Sequence, residues 1–493
     1  MRLIFFNCAQ KTKEKKFKKV VFLPENAKVD FIIQKETIMQ NPYIAAAVDF
    51  TQDAGKLNPA LHSSNSCPPL YGRGFAANNV MDELFKQMNF HSSRNHDWAL
   101  WNSGQRMVDT HFIFPLMHLD PKDEKNYYFG PTDAIIKICR EKAGMNVFYR
   151  LGTSIEHNPD DQHFNTLVPE DFDKYAEVLA GIVRHYTRGW ANGFEYKDMI
   201  YWEIWNEPDL PYKMWCGTAE EFIRFYVTVL KRLKSEFPEL KIGGPACCVL
   251  KMDFVHQLLD ACKAAGIAPD FFSWHKYTSN ADALIAEPAM IRKLLDEKGF
   301  TKTETCINEW HYLISWDGVQ SSASTDMRRR AMEGVCGLHG IDSGCFNLAV
   351  LSGWQYEPLD SGFYYGAAPF NAWGFYDEFL KLSKNFYSMV LFGKFLQECE
   401  QKVTVQRFYK TVYAVAAHGK DGKSASMLIT DYQGANPTLE IEVKGMENAK
   451  NIYAVILDKD RDIIPVPVVW RNNRLLLNKG AHGSASFYVT FEF

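Results

Sequence analysis

The sequence predicts an α/β fold: a (β/α)8 TIM barrel with an accessory antiparallel β-sandwich domain. Between about residues 56 and 396, short apolar runs bounded by turn residues alternate with segments of helical periodicity. Eight such alternations occur, the count that closes a parallel barrel. After about Leu396 the helical pattern gives way to short strands separated by Gly, Asn, Asp and Lys turns.

The expected barrel strands are 58–64, 107–114, 146–153, 199–206, 240–246, 270–277, 303–310 and 344–351. The helices between them carry start and stop signals. Pro169-Glu170-Asp171 offers an N1-type proline and an acidic first turn, and Phe172, Tyr175, Val178, Leu179, Ile182 and Val183 recur at three and four. Segment 219–237 repeats the pattern, and Gly144 and Gly266 fall where helices should stop. A doubly wound open sheet accounts for the same alternation but usually carries a Gly-rich phosphate turn, for which Tyr71-Gly72-Arg73-Gly74 is too short.

Strands at 403–408, 412–417, 425–430, 439–443, 452–457, 474–477 and 486–493 make up the expected sandwich. Segment 19–33 has the same character. The expected organisation is therefore an N-terminal segment 1–50 that adds strands to the sandwich, a barrel over 51–396, and the sandwich over 397–493.

Composition excludes several classes of function. A net charge of −4 and no clustered basic face argue against a nucleic-acid partner, and the lysines between Lys11 and Lys19 read as a solvated arm. No run of 18 apolar residues occurs, so no membrane span is expected. Eleven cysteines without a CxxC pair suit a reducing compartment, and Cys247-Cys248 reads as two packed thiols. A cytoplasmic location is expected, or a periplasmic or secreted one if a leader has been removed. No cofactor is expected. No metal is expected either, because His91 to His96 and His157 to His163 lack a carboxylate or cysteine set at ligand spacing. Nothing matches GxSxG.

A barrel places its chemistry at the C-terminal ends of its strands. The fourth strand ends Asn206-Glu207-Pro208-Asp209, and strict alternation puts Glu203 and Trp205 on the side of Glu207 with Asn206 opposite. The seventh ends Asn308-Glu309-Trp310-His311. Two carboxylates facing one another across a barrel mouth suit glycoside hydrolysis, one donating a proton and the other attacking the anomeric carbon. A gap of about 5–5.5 Å gives retention of configuration and about 6.5–9.5 Å gives inversion.

Glu203-Ile204-Trp205-Asn206-Glu207-Pro208-Asp209 resembles the acid/base motif of glycoside hydrolase family 39, the β-xylosidase and α-L-iduronidase family. Lys241-Ile242-Gly243-Gly244-Pro245-Ala246 resembles its fifth strand, Asp270 to Ser279 its sixth, and Ile307-Asn308-Glu309-Trp310 its nucleophile strand, all in family order. The resemblance implies that Glu207 is the acid/base and Glu309 the nucleophile of a retaining mechanism. It also implies that Asn206 binds the sugar 2-hydroxyl, that His275 and Tyr277 line the pocket, and that His111 contacts sugar.

The departures concern the substrate. Asp109 stands where the β-xylosidase branch has an arginine two residues before the strand-two histidine. Thr153 replaces an aromatic, and Asn347 replaces a tryptophan on strand eight. Tyr277 stands where the iduronidase branch has a lysine for the uronate carboxylate, with Arg150 and Lys276 as other sources of charge.

Trp205, Trp215, Trp310, Trp316, Trp354, Tyr356 and Trp373 are candidate stacking platforms, with Trp310 counted among the substrate-binding residues. Glu357 is a candidate hydrogen-bond partner for sugar hydroxyls. The expected activity is exo-cleavage of a β-xyloside or related short oligosaccharide. Its alternatives are an α-L-arabinosidase-like or α-L-iduronidase-like specificity, or a catalytically silent carbohydrate-binding barrel. Homo-oligomerisation is open.

Overall fold

The computed structural model describes residues 44–68, 78–96, 107–156, 164–319, 323–366, 373–376, 381–480 and 483–493. The arm at 11–19 and the expected strands at 19–33 lie outside these residues, as do Tyr71 to Gly74 and His157 to His163. Eight parallel strands close a barrel: Ser63–Ser64, Ser92–Arg94, Asn146–Leu151, Tyr201–Ile204, Lys241–Cys247, Phe271–Thr278, Glu304–Tyr312 and Ser361–Tyr364. Helices cover them. Phe172–Thr187 is capped by Asp171, whose side chain accepts from the Lys174 N–H, so Pro169 lies before the cap rather than inside the helix. Ala219–Glu236 opens with a capping box between Thr218 and Glu221. Gly144 and Gly266 take φ of 70° and 66°, the left-handed conformation that ends a helix.

Two expected strands are corrected. The second is Ser92–Arg94, and the apolar stretch near Val108 forms a turn leading into a short helix, Thr110–Ile113. The eighth is Ser361–Tyr364. The expected 344–351 belongs to a helix, Ile341–Trp354, in which every residue except Gly353 is buried. That helix is wedged between barrel and β-domain: Asp342 accepts from Ser484 Oγ at 2.6 Å, and the Phe346 ring meets Tyr432. A helix apolar on all sides loses the one-sided periodicity that distinguishes it from a buried strand.

The second domain is one ten-stranded sheet. Ile44–Lys56 lies inside it, antiparallel to Cys399–Arg407 and parallel to Thr438–Lys444. The sheet curls on itself: Trp470, on the edge strand Val469–Arg471, packs its ring on Phe491, seven strands away in sheet order. Both halves feed one apolar core with Val48, Val403, Ile441, Leu475 and Phe487. Deeply buried in it, Lys479 is satisfied by Asp431 and the Gly434 and Gly483 carbonyls at 2.5–2.7 Å.

The barrel lumen is layered. Toward its N-terminal end Phe148, Phe271, Cys306 and Phe363 fill it, with Tyr201 against them. Above them lies a buried polar layer built on Glu203, which accepts from Arg94 Nε (2.6 Å), Ser273 Oγ (2.6 Å) and Asn308 Nδ2 (2.7 Å). The candidate site stands on this floor.

Candidate active site

The chain leaves strand four through two residues with left-handed backbone, Trp205 (φ 74°) and Glu207 (φ 49°). These break the alternation expected from sequence. Trp205 turns outward into Trp215 and Phe225, and its indole lies where a side chain on Gly152 would be, 2.5 Å from an ideal Cβ. Asn206 turns inward, its Oδ1 accepting from Arg94 Nη2 at 2.8 Å. The Glu207 N–H donates to the Ala246 carbonyl at 2.9 Å. Asp209 accepts from the Cys248 and Val249 N–H groups, tying the loops after strands four and five together.

Strand seven achieves a similar result with a bulge. His275 pairs with Glu309 although its neighbour Trp274 pairs with Ile307, so Asn308 is an extra residue. Both Asn308 and Glu309 therefore face the lumen. Trp310 faces the other way, into Phe346, Trp354 and Tyr364, and is 1% exposed. It is a core residue and not a sugar platform.

Glu309 Oε1 accepts from Arg94 Nη1 at 2.8 Å and lies 3.3 Å from His96 Nε2. Its Oε2 accepts from the Tyr277 hydroxyl at 2.8 Å. His275 Nδ1 lies between the two glutamates, 2.8 Å from Glu207 Oε1 and 3.3 Å from Glu309 Oε2. These three ligating atoms all lie within 4.8 Å of one another, which brings the carboxylates of Glu207 and Glu309 that close. The same triad can in principle hold a divalent cation, but the Arg94 guanidinium against Glu309 opposes one.

Burial pushes the His275 pKa down, against the opposing pull of Glu309. Burial, reinforced by Glu309, pushes the Tyr277 phenol well above its ordinary value. Burial also works against the charge of Arg94, yet Glu203 and Glu309 outweigh it and its pKa is raised. The Cys248 thiol is likewise raised by burial and by Glu207.

Arg94 and His96 are the site residues that sequence reasoning missed. The strand that ends in Arg94, two residues before His96, is three residues long and reads Ser-Ser-Arg, with no apolar signal. The signal that marks them is the spacing itself: an arginine two residues before a histidine, the pair sought at 109 and 111. An arginine two residues before a histidine therefore stands at the end of strand two, and Asp109 lies beyond that strand, at the start of the short helix Thr110–Ile113. His111 sits in the short helix above the end of strand three. The other departures shift too: Asn347 is on the wedged helix, bonded to Asn385 and Ser388. Lys276 pairs with Glu287 at 2.9 Å.

Glu357 precedes strand eight, in the loop whose Asp360 binds Thr305 at the start of strand seven. It therefore lies at the N-terminal end of the barrel, opposite the site. Of the candidate aromatics, Trp205, Trp215, Trp310 and Trp354 are core, and Tyr356 donates to the Val403 carbonyl of the β-domain. Trp316 and Trp373 do flank the site, forming with Tyr277 and Tyr365 a cluster of rings 5.3–6.0 Å apart.

Fold and site together define a (β/α)8 barrel with paired carboxylates at its strand ends and an attached β-domain. More particularly, the chain belongs to the glycosyl hydrolases family 39, whose sequence model matches residues 47–309. It is 30% identical over 117 residues to a beta-xylosidase of Geobacillus stearothermophilus and 28% identical over 161 residues to one of Caldicellulosiruptor saccharolyticus. Those stretches are 24% and 31% of this chain and span only 23% and 32% of the relatives. Among solved structures it resembles a glucosidase from Croceicoccus marinus (TM-score 0.70, 19% identity, 92% of this chain and 100% of that one). It also resembles a GH39 beta-xylosidase from Caulobacter crescentus (TM-score 0.65, 16% identity, 91% and 99%). An alpha-L-arabinofuranosidase from Thermotoga maritima shares the fold at a TM-score of 0.61 (16% identity, 92% and 100%). No helix among the described residues is long and apolar enough to cross a membrane.

Proposed function

We propose that the protein is a retaining exo-glycoside hydrolase that cleaves a β-xyloside or related short oligosaccharide by double displacement, with Glu207 as acid/base and Glu309 as nucleophile. The observation that carries this is the approach of the two carboxylates to within 4.8 Å. That is near the gap of about 5–5.5 Å characteristic of direct attack and short of the about 6.5–9.5 Å at which an inverting enzyme places a water.

The surroundings of Glu309 suit the role of nucleophile. Arg94 and Tyr277 both donate to Glu309, favouring an ionised carboxylate aimed at the anomeric carbon. Glu207 Oε1 lies 2.8 Å from His275 Nδ1, beside the nucleophile. In the first step a Glu309 oxygen bonds to the anomeric carbon, the glycosidic bond breaks, and the Glu207 proton passes to the leaving oxygen. In the second, Glu207 takes a proton from water as the water oxygen attacks the same carbon and the ester to Glu309 breaks. Asn206 has an N–H available for the sugar 2-hydroxyl, and the Tyr277, Trp316, Tyr365 and Trp373 rings offer an apolar wall.

The β-xyloside class comes from the curated relatives. A panel of nitrophenyl glycosides, with product configuration read by NMR, tests it. Retained configuration is expected, and inversion would sink the assignment. Glu309→Ala should lose turnover and regain part of it with azide, yielding a glycosyl azide of inverted configuration. Near-normal activity in that variant would refute Glu309 as nucleophile.

A further inference from the structure

Asp109 and Arg150 are fully buried and ion-paired beside the site, and neither has a role in the chemistry above. Arg150 is on strand three in register with Glu203, so it faces the lumen one layer below the mouth. Its side chain is 0% exposed, which denies it contact with a ligand. Anything it does must pass through its neighbours.

The neighbours form a continuous chain. Asp109 accepts from Arg150 Nη2 and, on the same Oδ1, from the Ser154 N–H at 3.2 Å; its Oδ2 accepts from Ser154 Oγ at 3.0 Å. The Ser154 carbonyl in turn accepts from Asn206 Nδ2 at 3.0 Å. Because Asn206 Oδ1 is committed to Arg94, the orientation of this amide is fixed at both ends, with one N–H remaining on Nδ2. Thr110 completes the clamp: its N–H donates to the Gly152 carbonyl at 2.8 Å, and its Oγ1 accepts from the Gly152 N–H at 3.1 Å. Gly152 itself fits under Trp205, the residue before Asn206.

We propose that the Asp109–Arg150 pair is a positioning device for Asn206. Asp109 fixes the turn that presents the Ser154 carbonyl, and that carbonyl aims the remaining Asn206 N–H at the 2-hydroxyl of the sugar in the site. Arg150 supplies the charge that keeps Asp109 an acceptor in the absence of solvent. The inference rests on the glycosidase assignment made above. It adds that discrimination for the 2-hydroxyl, whose hydrogen bond strengthens as the oxocarbenium-like transition state forms, is set by residues that never touch the sugar.

The test compares kcat/KM on the nitrophenyl glycoside the wild-type protein turns over best, from β-xyloside, β-glucoside and α-L-arabinofuranoside, with that on its 2-deoxy analogue. Replacing both members, Asp109→Leu with Arg150→Met, avoids stranding a buried charge. The 2-hydroxy to 2-deoxy ratio should fall about tenfold or more, and Asn206→Ala added to this variant should lower it little further. Ser154→Ala, which keeps the pair and deletes one bond, should lower the ratio about threefold and decides the matter if the double variant does not fold. A merely structural pair would slow both substrates alike, so an unchanged ratio overturns the proposal. Glu309→Ala separates the two levels. If the wild type is inactive on every sugar, the glycosidase assignment fails; if Glu309→Ala is undiminished, the double-displacement assignment to Glu309 fails; either takes this inference with it. An active wild type, a silent Glu309→Ala and an unchanged ratio defeat the positioning role alone.

Discussion

Replacing Tyr277 by phenylalanine removes one oxygen and little else. The hydroxyl makes a 2.8 Å hydrogen bond to Glu309 Oε2, while the ring, which the substitution keeps, packs against Trp316, Tyr365 and Trp373. A hydrogen bond to a charged group contributes about 1.5–3 kcal/mol. On the proposed role of Glu309 the bond orients the attacking carboxylate rather than binding the sugar, so that amount should appear in the barrier. At about 1.4 kcal/mol per factor of ten, kcat/KM should drop about 10- to 100-fold. Arg94 still holds the other oxygen, so the activity should not vanish. The pH profile adds a second constraint. Burial and Glu309 push the Tyr277 phenol upward, so it remains a donor throughout the working range, and the wild-type to variant ratio should stay constant from pH 5 to 9. The assay is steady-state hydrolysis of a nitrophenyl glycoside across that range, with a thermal melt as the control for folding. A loss below threefold with an unchanged melt would refute the assignment of Tyr277 to the nucleophile. A ratio that collapsed at high pH would refute its role as a persistent donor.

Glu207→Ala should spare 2,4-dinitrophenyl glycosides, whose leaving group needs no proton, and should cost alkyl glycosides most of their rate; equal losses on both would count against the acid role. Arg94→Met strands Glu203 and Glu309 without their cation and should lower stability by about 3–5 kcal/mol, seen as an earlier denaturant transition, along with activity. Trp310→Ala should cost about 3–5 kcal/mol of stability through the cavity it leaves, whereas Trp316→Ala, at a site 50% exposed, should leave the melt unchanged and raise KM. The reverse pattern would restore Trp310 as a sugar contact.

The parts of this fold that are legible in sequence are those that bury apolar side chains on an ordinary schedule. Strands three to seven announce themselves because outward-facing residues such as Tyr149, Trp202 and Trp274 pack under helices while the chain stays extended. Strand two has no such residues: its lumen side is an arginine held by two carboxylates, and its length is three residues. An ionic interior erases the hydrophobic signal at the point where the site is built. The helix Ile341–Trp354 fails for the opposite reason, since burial on all sides leaves no polar face to reveal its period.

The site divides along a similar line. Glu207 and Glu309 are readable as carboxylates at strand ends, and Tyr277 and His275 follow from the resemblance. What the alternation rule cannot deliver is direction. Asn206 and Trp205 exchange sides because φ turns positive at 205 and 207, and Asn308 joins Glu309 in the lumen because of a one-residue bulge. Both irregularities interrupt period two at a strand end, where the pairing ladder no longer enforces it. Their effect is to place consecutive residues on one side of the sheet, Asn206 with Glu207 and Asn308 with Glu309. A barrel of regular strands offers only every second residue to its mouth. Holding one carboxylate against another while a neighbouring amide reaches the same space requires consecutive ones, so the positions at which the sequence rule fails are those at which the proposed chemistry needs it to fail.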